Sequence, residues 1–219
     1  MATINPSTSL PKASDITIAP GRTDEEGLPE AYDRATRGAP LPSDMKYVLP
    51  QLEVFPVYVT QAGYWDTVAP IKETAITAIP DSLSWAEGSL GGVARSWSLA
   101  STVRPEKYTL TITALLFKDP YVSSKAVATM RAAHGEDKKA GVFSFKSGKD
   151  TYTVGISAPA SVLMYVEVKG PASSYEVDLS VETLSQFLER SIQDFLATAP
   201  AMSTPQSGSS SSAPTTSKP

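Results

Sequence analysis

The chain has 219 residues, no cysteine and a formal net charge of −4. The absence of cysteine excludes disulfide bonds, thiolate zinc sites and thiol nucleophiles. No apolar run approaches the roughly 18 residues of a membrane-spanning helix, and residues 1–15 lack the apolar stretch of a signal peptide. We therefore expect no transmembrane insertion, no secretion by a signal peptide, and a cytoplasmic or virion location.

Charge is segregated along the chain. Residues 1–94 carry 6 basic and 12 acidic side chains, residues 95–149 carry 10 and 4, and residues 150–219 carry 3 and 7. A basic block between two acidic ones suggests a phosphate-bearing or acidic partner.

Both ends of the sequence have the composition of unpacked segments. Residues 1–44 contain six prolines and the acidic run at 24–26, which predicts a flexible acidic arm. Residues 198–219 are rich in Ser, Thr and Pro and predict a disordered tail, because they offer little apolar surface to offset the entropy of ordering. Residues 45–197 remain as a single folded β-rich domain, at about 150 residues large enough for one core.

Alternation with period two predicts the first strands. Leu52–Thr60 is strand-like, and Pro56 within it favours an edge or a bulge. Residues 71–79 and 93–103 are weaker candidates. Tyr108–Phe117 has the strongest pattern, with threonines opposite its apolar side chains.

A helix is predicted near residues 120–134. Asp119 can cap it, Pro120 suits its first position, and an apolar stripe extends to Ala133 before Gly135.

More strands are predicted after this helix. The alternating residues around Phe143–Phe145 and Tyr152–Ile156 flank Gly148 and indicate a hairpin. Ser161–Lys169 is nearly all apolar, which is typical of a central strand. Alternation over Tyr175–Val181 predicts one further strand.

An amphipathic helix is predicted at residues 181–197. Its wide apolar stripe consists of Leu184, Phe187, Leu188, Ile192, Phe195 and Leu196. The stripe could cover the sheet of its own domain or dock on a neighbouring subunit, so these residues form the candidate oligomer interface.

Repeated short strands with two helices predict a mainly β fold of the α+β class. The expected architecture is an antiparallel sandwich or a barrel-like sheet, with one helix inserted near 120–134 and an amphipathic helix at the C-terminal end.

No motif indicates a reaction. His134, the single histidine, lies in the last predicted turn of a helix, where a cation meets the negative end of the helix dipole. The glycine-rich segment Gly88–Gly92 lacks the Lys-Ser/Thr of a P-loop and the spacing of a nucleophile elbow. We expect no catalytic, cofactor-binding or metal-binding residues, and no cofactor.

The basic block supplies candidate binding residues, namely Lys125, Arg131, Lys138, Lys139, Lys146 and Lys149. If the elements that carry them adjoin, these cations form one face for nucleic acid or an anionic membrane surface. Lysine acts as a point charge, which suits phosphate contact without base reading. A solvated surface of mixed charge is the alternative.

These features together predict a non-enzymatic structural protein that assembles into homo-oligomers. A viral coat or matrix-type virion protein is the most concrete version; the acidic arm fits a matrix role better than the packaging of nucleic acid. One alternative is a monomeric β-domain that binds a protein or a small ligand through its loops. A second alternative is a carboxylate-dependent hydrolase.

Overall fold

The computed structural model describes residues 27–52, 55, 65–101, 104–134 and 142–197. In chain order the elements are α1 Leu28–Thr36, a first 3₁₀ helix Pro42–Tyr47, β1 Thr67–Ile76, a second 3₁₀ helix Asp81–Ala86, β2 Ser89–Ser101, β3 Arg104–Phe117, α2 Pro120–Ala133, β4 Val142–Ser147, β5 Asp150–Ser157, β6 Val162–Gly170 and α3 Tyr175–Ala197.

The six described strands form one sheet in the order β1-β2-β3-β6-β5-β4, and every neighbouring pair is antiparallel. The edge strands β1 and β4 do not pair with each other within the described residues, so the sheet is open rather than closed into a barrel. The predicted fold class, mainly β and α+β with an antiparallel sheet, is confirmed.

Alternation along β3 divides the core between the two faces of the sheet. Its even-numbered residues from Tyr108 to Leu116 point to the α3 face, which α1, α3 and the first 3₁₀ helix cover. Its odd-numbered residues from Thr109 to Phe117 point to the α2 face, where α2 and the second 3₁₀ helix lie. Side chains buried on the α3 face include Trp97, Leu110, Ile112, Val166, Leu188 and Ile192. Those on the α2 face include Ile76, Leu83, Leu115, Phe117, Met130 and Leu163.

Most of the predicted elements after residue 65 are present. The weaker strand candidates correspond to β1 and β2, the hairpin turns at Gly148, and β6 is central. The predicted helix is α2, and the carboxylate of Asp119 accepts hydrogen bonds from the backbone N–H groups of Tyr121 at 2.9 Å and Val122 at 3.0 Å. This cap satisfies donors that have no partner inside the helix.

The strand predicted at Tyr175–Val181 is wrong, because this segment forms the first turns of α3. A short alternating segment fits both the strand period of two residues and the helix period of 3.6 residues, and only the longer pattern distinguishes them. The buried residues Val177, Val181, Leu188, Ile192 and Phe195 follow the helical spacing. The hydroxyl of Ser174 accepts the backbone N–H of Val177 at 3.3 Å and caps the helix start.

The predicted flexible arm is wrong for residues 28–44, which are folded onto the α3 face. Helix α1 buries Leu28, Ala31 and Ala35. Pro29 and Pro42 do not break these helices, because each stands in a first turn, where no backbone donor is needed. Residues 1–26 and 198–219 lie outside the described residues.

A charged contact fixes α1 to the first 3₁₀ helix. The buried carboxylate of Asp44 accepts the Nε–H of Arg34 at 2.9 Å and the backbone N–H of Leu41 at 2.8 Å.

Most of the strand predicted at Leu52–Thr60 lies outside the described residues. Phe55, which is described, donates its N–H to the carbonyl of Gln51 as in a helical turn.

We expect Gly155→Ala to lower the free energy of unfolding by about 1–3 kcal/mol through overpacking. A Cβ on Gly155 of β5 would lie 2.1 Å from Ser185 Oγ and 3.0 Å from Val181 Cγ1, so these side chains of α3 would have to move. Urea denaturation monitored by circular dichroism measures this change.

The matched control is Gly148→Asn in the β4–β5 turn. A Cβ on Gly148 meets nothing within 4 Å, and asparagine tolerates its positive φ of 63°. Equal unfolding midpoints for the two variants would contradict the close approach of α3 to β5.

Candidate binding face

Among the described residues, α2 and the second 3₁₀ helix do not extend over the whole α2 face, and polar side chains occupy the remaining part. The strand register places Thr111 between Ser96 and Glu167, and it places Thr109 between Ser98 and Lys169. These six side chains, here called the polar rows, are all partly exposed. The polar rows cross β2, β3 and β6, which are neighbouring strands in the middle of the sheet.

The carboxylate of Glu167 is the acidic group of the polar rows. It accepts a hydrogen bond from the hydroxyl of Tyr165 at 2.7 Å. Burial raises the pKa of Glu167, and the Tyr165 hydroxyl and Lys169 oppose this rise. Burial, together with the charge of Glu167, raises the pKa of Tyr165, which therefore stays a protonated donor.

The ammonium of Lys169 is the basic group of the polar rows, and it is already paired. Its Nζ lies 3.0 Å from Asp150 Oδ2 and 5.7 Å from the centroid of the Tyr152 ring. The hydrogen bond to Asp150 is the main reason that the pKa of Lys169 is raised. The charge of Lys169 is therefore partly compensated by Asp150, whereas Glu167 receives a hydrogen bond from a neutral hydroxyl.

Aromatic side chains border the polar rows on two sides. Tyr152 stacks on Phe145 with ring centroids 5.2 Å apart and planes within 4°, and Phe145 stacks on His134 at 3.8 Å. Next to Glu167 along β6, Tyr165 packs against Trp85 with ring centroids 5.2 Å apart. The position of His134 at the end of α2 agrees with its predicted structural role, and its ring supports the Phe145–Tyr152 stack.

The predicted basic face is not assembled by the residues that the structure describes. Lys125 is exposed on α2, but Arg131 turns toward β5 and donates from Nη2 to the carbonyl of Ile156 at 3.4 Å. Lys146 alternates with Phe145 along β4 and therefore points away from the α2 side, and Lys149 lies in the following turn. Lys138 and Lys139 lie outside the described residues.

The predicted oligomer interface is instead part of the core of the same chain. Leu188, Ile192 and Phe195 are buried on the α3 face. Leu184, Phe187 and Leu196 are partly buried and pack against the same cluster. Phe195 also contacts Tyr32 of α1 at a centroid distance of 5.1 Å. The stripe is used within the chain because α3 is needed to cover the sheet, which is the alternative that the sequence left open.

A depression of about 380 Å³ lies on the other side of β4, lined by Ser144, Phe145, Lys146, Thr151, Pro171, Ala172 and Ser173. The hydroxyl of Ser173 donates to Asp178 at 2.7 Å and accepts from Ser144 at 3.3 Å. These hydroxyl protons are used inside the protein.

Neither a metal cluster nor a membrane-spanning helix is found in the described part of the chain. No group of three or more His, Cys, Asp or Glu side chains is placed there to hold a metal ion. None of the helices described is both long and apolar enough to cross a membrane.

The sequence interpretation did not select Glu167, Lys169 or Tyr165 as site residues. One signal was present: Glu167 is the sole carboxylate within the apolar run Ser161–Lys169. Carboxylates are seldom found in a strand buried on both faces, so such a residue indicates a break in the cover of one face.

Comparisons with known proteins leave the function open. No protein-family model matches the chain, and no curated protein sequence matches it. Among solved structures it is similar to the extracellular domain of PknH from Mycobacterium tuberculosis, with a TM-score of 0.39 and 7% sequence identity over 67% of this chain and 95% of that one. A similarity of this size does not support an inference about function.

We expect Glu167→Gln to change how stability depends on pH. The folded protein holds the Glu167 proton more tightly than the unfolded chain does, because the pKa of this carboxyl is raised on folding. The wild type therefore loses this part of its stability as the pH rises above about 4.5, the ordinary value of the group, through the folded pKa. Glutamine removes the loss, so the variant gains stability relative to the wild type between pH 4 and pH 8.

Urea midpoints across that pH range measure the difference between variant and wild type. Glu182→Gln, at an exposed position on α3, is the control for loss of an acidic side chain. A constant difference between Glu167→Gln and the wild type at all pH values would contradict the raised pKa.

Proposed function

We propose that the protein is a non-enzymatic binding domain that holds a ligand on the polar rows. One observation carries this proposal: within the part of the chain that the structure describes, no helix covers the stretch of the α2 face where hydroxyls, a carboxylate and an ammonium lie side by side, next to Tyr152 on β5 and Tyr165 on β6. Binding sites commonly combine aromatic side chains with a few placed polar groups. The proposal belongs to the monomeric β-domain alternative, with the sheet face rather than loops as the site.

A carboxylate-dependent hydrolase is the second candidate, and the raised pKa of Glu167 favours it. A half-buried carboxyl of this kind can serve as a general acid. Hydrolysis with two carboxylates also needs a second carboxylate beside the scissile bond. Asp150 is bound to Lys169, which leaves it poorly suited to act as a base or nucleophile. The binding proposal requires only hydrogen bonds from these groups.

Self-assembly into a viral coat or matrix-type structure stays a prediction, as do a cytoplasmic or virion location and contact with nucleic acid or an anionic membrane. Association is supported by β1 and β4, which are edge strands of the sheet within the described ranges, since an unpaired strand can add another strand. The α3 stripe is buried within the chain, so association would have to use a surface other than the candidate interface.

We expect a ligand of the protein to shift the backbone amide signals of the polar rows. A library of sugars, amino acids and nucleotides, titrated into ¹⁵N-labelled protein, should produce signal changes at Thr109, Thr111, Glu167 and Lys169. Lys125→Met, on the exposed face of α2, is the control and should not alter them. Shifts that instead cluster around the basic residues, or no shifts with any compound, would refute the proposal.

The predicted self-assembly is tested by a separate experiment. Association through strand edges depends on concentration, so the mass measured by light scattering should rise between micromolar and millimolar protein. A monomer over this whole range, at both low and high salt, would refute self-assembly.

A further inference from the structure

We infer that one end of the domain docks on the surface of a lipid bilayer through Leu41, Leu90 and Tyr121. In the part of the chain that the structure describes, four large apolar side chains are exposed, and three of them are at this end. Leu41 is 47% exposed, Leu90 55% and Tyr121 78%. Single apolar side chains are ordinary on a protein surface, whereas a group of them in one place indicates a contact surface.

Leu41 and Leu90 adjoin because the backbone segments that carry them pack closely. Leu41 directly precedes the first 3₁₀ helix, and Leu90 lies at a bulge near the start of β2. A Cβ on Gly91 would lie 3.4 Å from the Cβ of Pro42. Because the two leucines are the chain neighbours of these residues, they lie at the same end of the sheet.

Tyr121 lies at this end too, in the first turn of α2. A Cβ on Gly88 would lie 2.9 Å from Val122 Cγ1, so the start of α2 adjoins the segment that leads into β2. The three exposed side chains therefore come from three layers: Leu41 from the segment on the α3 face, Leu90 from the sheet and Tyr121 from α2. Packed layers lie about 10 Å apart, so this apolar group extends over roughly 20 Å.

The size and shape of this end favour a lipid surface over a second protein. At these exposed fractions three large side chains offer on the order of 400 Å² of apolar surface, whereas a stable protein interface takes about 800 Å² from each partner. The side chains also stand on separate segments rather than on one continuous face. A bilayer accepts separate side chains because its lipids rearrange around them, and tyrosine is favoured at the level of the headgroups.

The charges at this end do not select an anionic membrane. Lys118 is exposed just before α2, and Glu87 is exposed just before the start of β2. Because these opposite charges offset each other, the apolar side chains supply the attraction. This contact therefore differs from the basic face that the sequence predicts, which would need anionic lipid.

The docking end and the polar rows are separate places on the molecule. Ser98 of the polar rows follows Leu90 by eight residues along β2, which is about 26 Å in a strand. The inference therefore goes beyond the proposed function and does not depend on it.

The test is flotation of the protein with two kinds of vesicle, one of phosphatidylcholine and one of phosphatidylcholine and phosphatidylglycerol in a ratio of about 7 to 3. We expect weak, reversible binding to both at millimolar lipid. Leu90→Ser and Tyr121→Ser should each lower the partition coefficient about tenfold, because each removes a large apolar side chain from the contact.

The matched control is Ile71→Ser. Ile71 is 51% exposed, but it lies on the edge strand β1 beside Ser96 and Trp97 of β2, so this variant should bind as the wild type does. Circular dichroism confirms that each variant is folded. If Leu90→Ser is not folded, Tyr121→Ser carries the test, because the side chain of Tyr121 contributes little to the core.

Three results would overturn the inference. The first is a wild type that binds neither vesicle, or variants that bind as strongly as the wild type does. The second is binding to the anionic vesicles only, lost at high salt, because the contact would then be electrostatic. The third is a mass that rises with protein concentration without lipid and does so less in Leu90→Ser, which would assign this end to a second copy of the chain.

Discussion

The fold depends on the pairing of β3 with β6 at the centre of the sheet. Both strands have neighbours on each side, and they are apolar on both faces over the half that includes Leu115 and Leu163. Such strands are stable only when each face is covered. The α3 face obtains its cover from α3, which lies close because Gly155 has no side chain. The folding of residues 28–49 on that face follows from the same need.

The helices cover the two faces of the sheet to different extents, and this difference creates the candidate site. At about 1.5 Å per residue, the 23 residues of α3 extend about 34 Å, whereas the 14 residues of α2 extend about 21 Å. Helix α2 and the second 3₁₀ helix therefore cover one end of their face. The other end stays in contact with water, and threonine and serine are compatible with both a strand and that contact. The polar rows are thus a consequence of the packing as well as a place for a ligand.

The charged groups of the polar rows each have a hydrogen-bonding partner inside the protein. Asp150 holds Lys169, and Tyr165 holds Glu167, so each ionisable group has a partner before any ligand arrives. A partly buried carboxyl is tolerated under these conditions because its hydrogen bond replaces water.

The sequence by itself determined the local elements: the cap at Asp119, the turn at Gly148, the alternation of β3 and the amphipathic pattern of α3. Each of these elements depends on residues close together in the sequence, so a short segment contains the whole pattern. Tertiary structure decided that α3 covers its own sheet, that α1 is ordered although the segment is rich in proline, and that Arg131 and Lys146 do not share a face. It also decided that Ser98, Thr109, Lys169 and Tyr152 form one row. Their order across β2, β3, β6 and β5 comes from strand pairing over long separations, which no local pattern encodes.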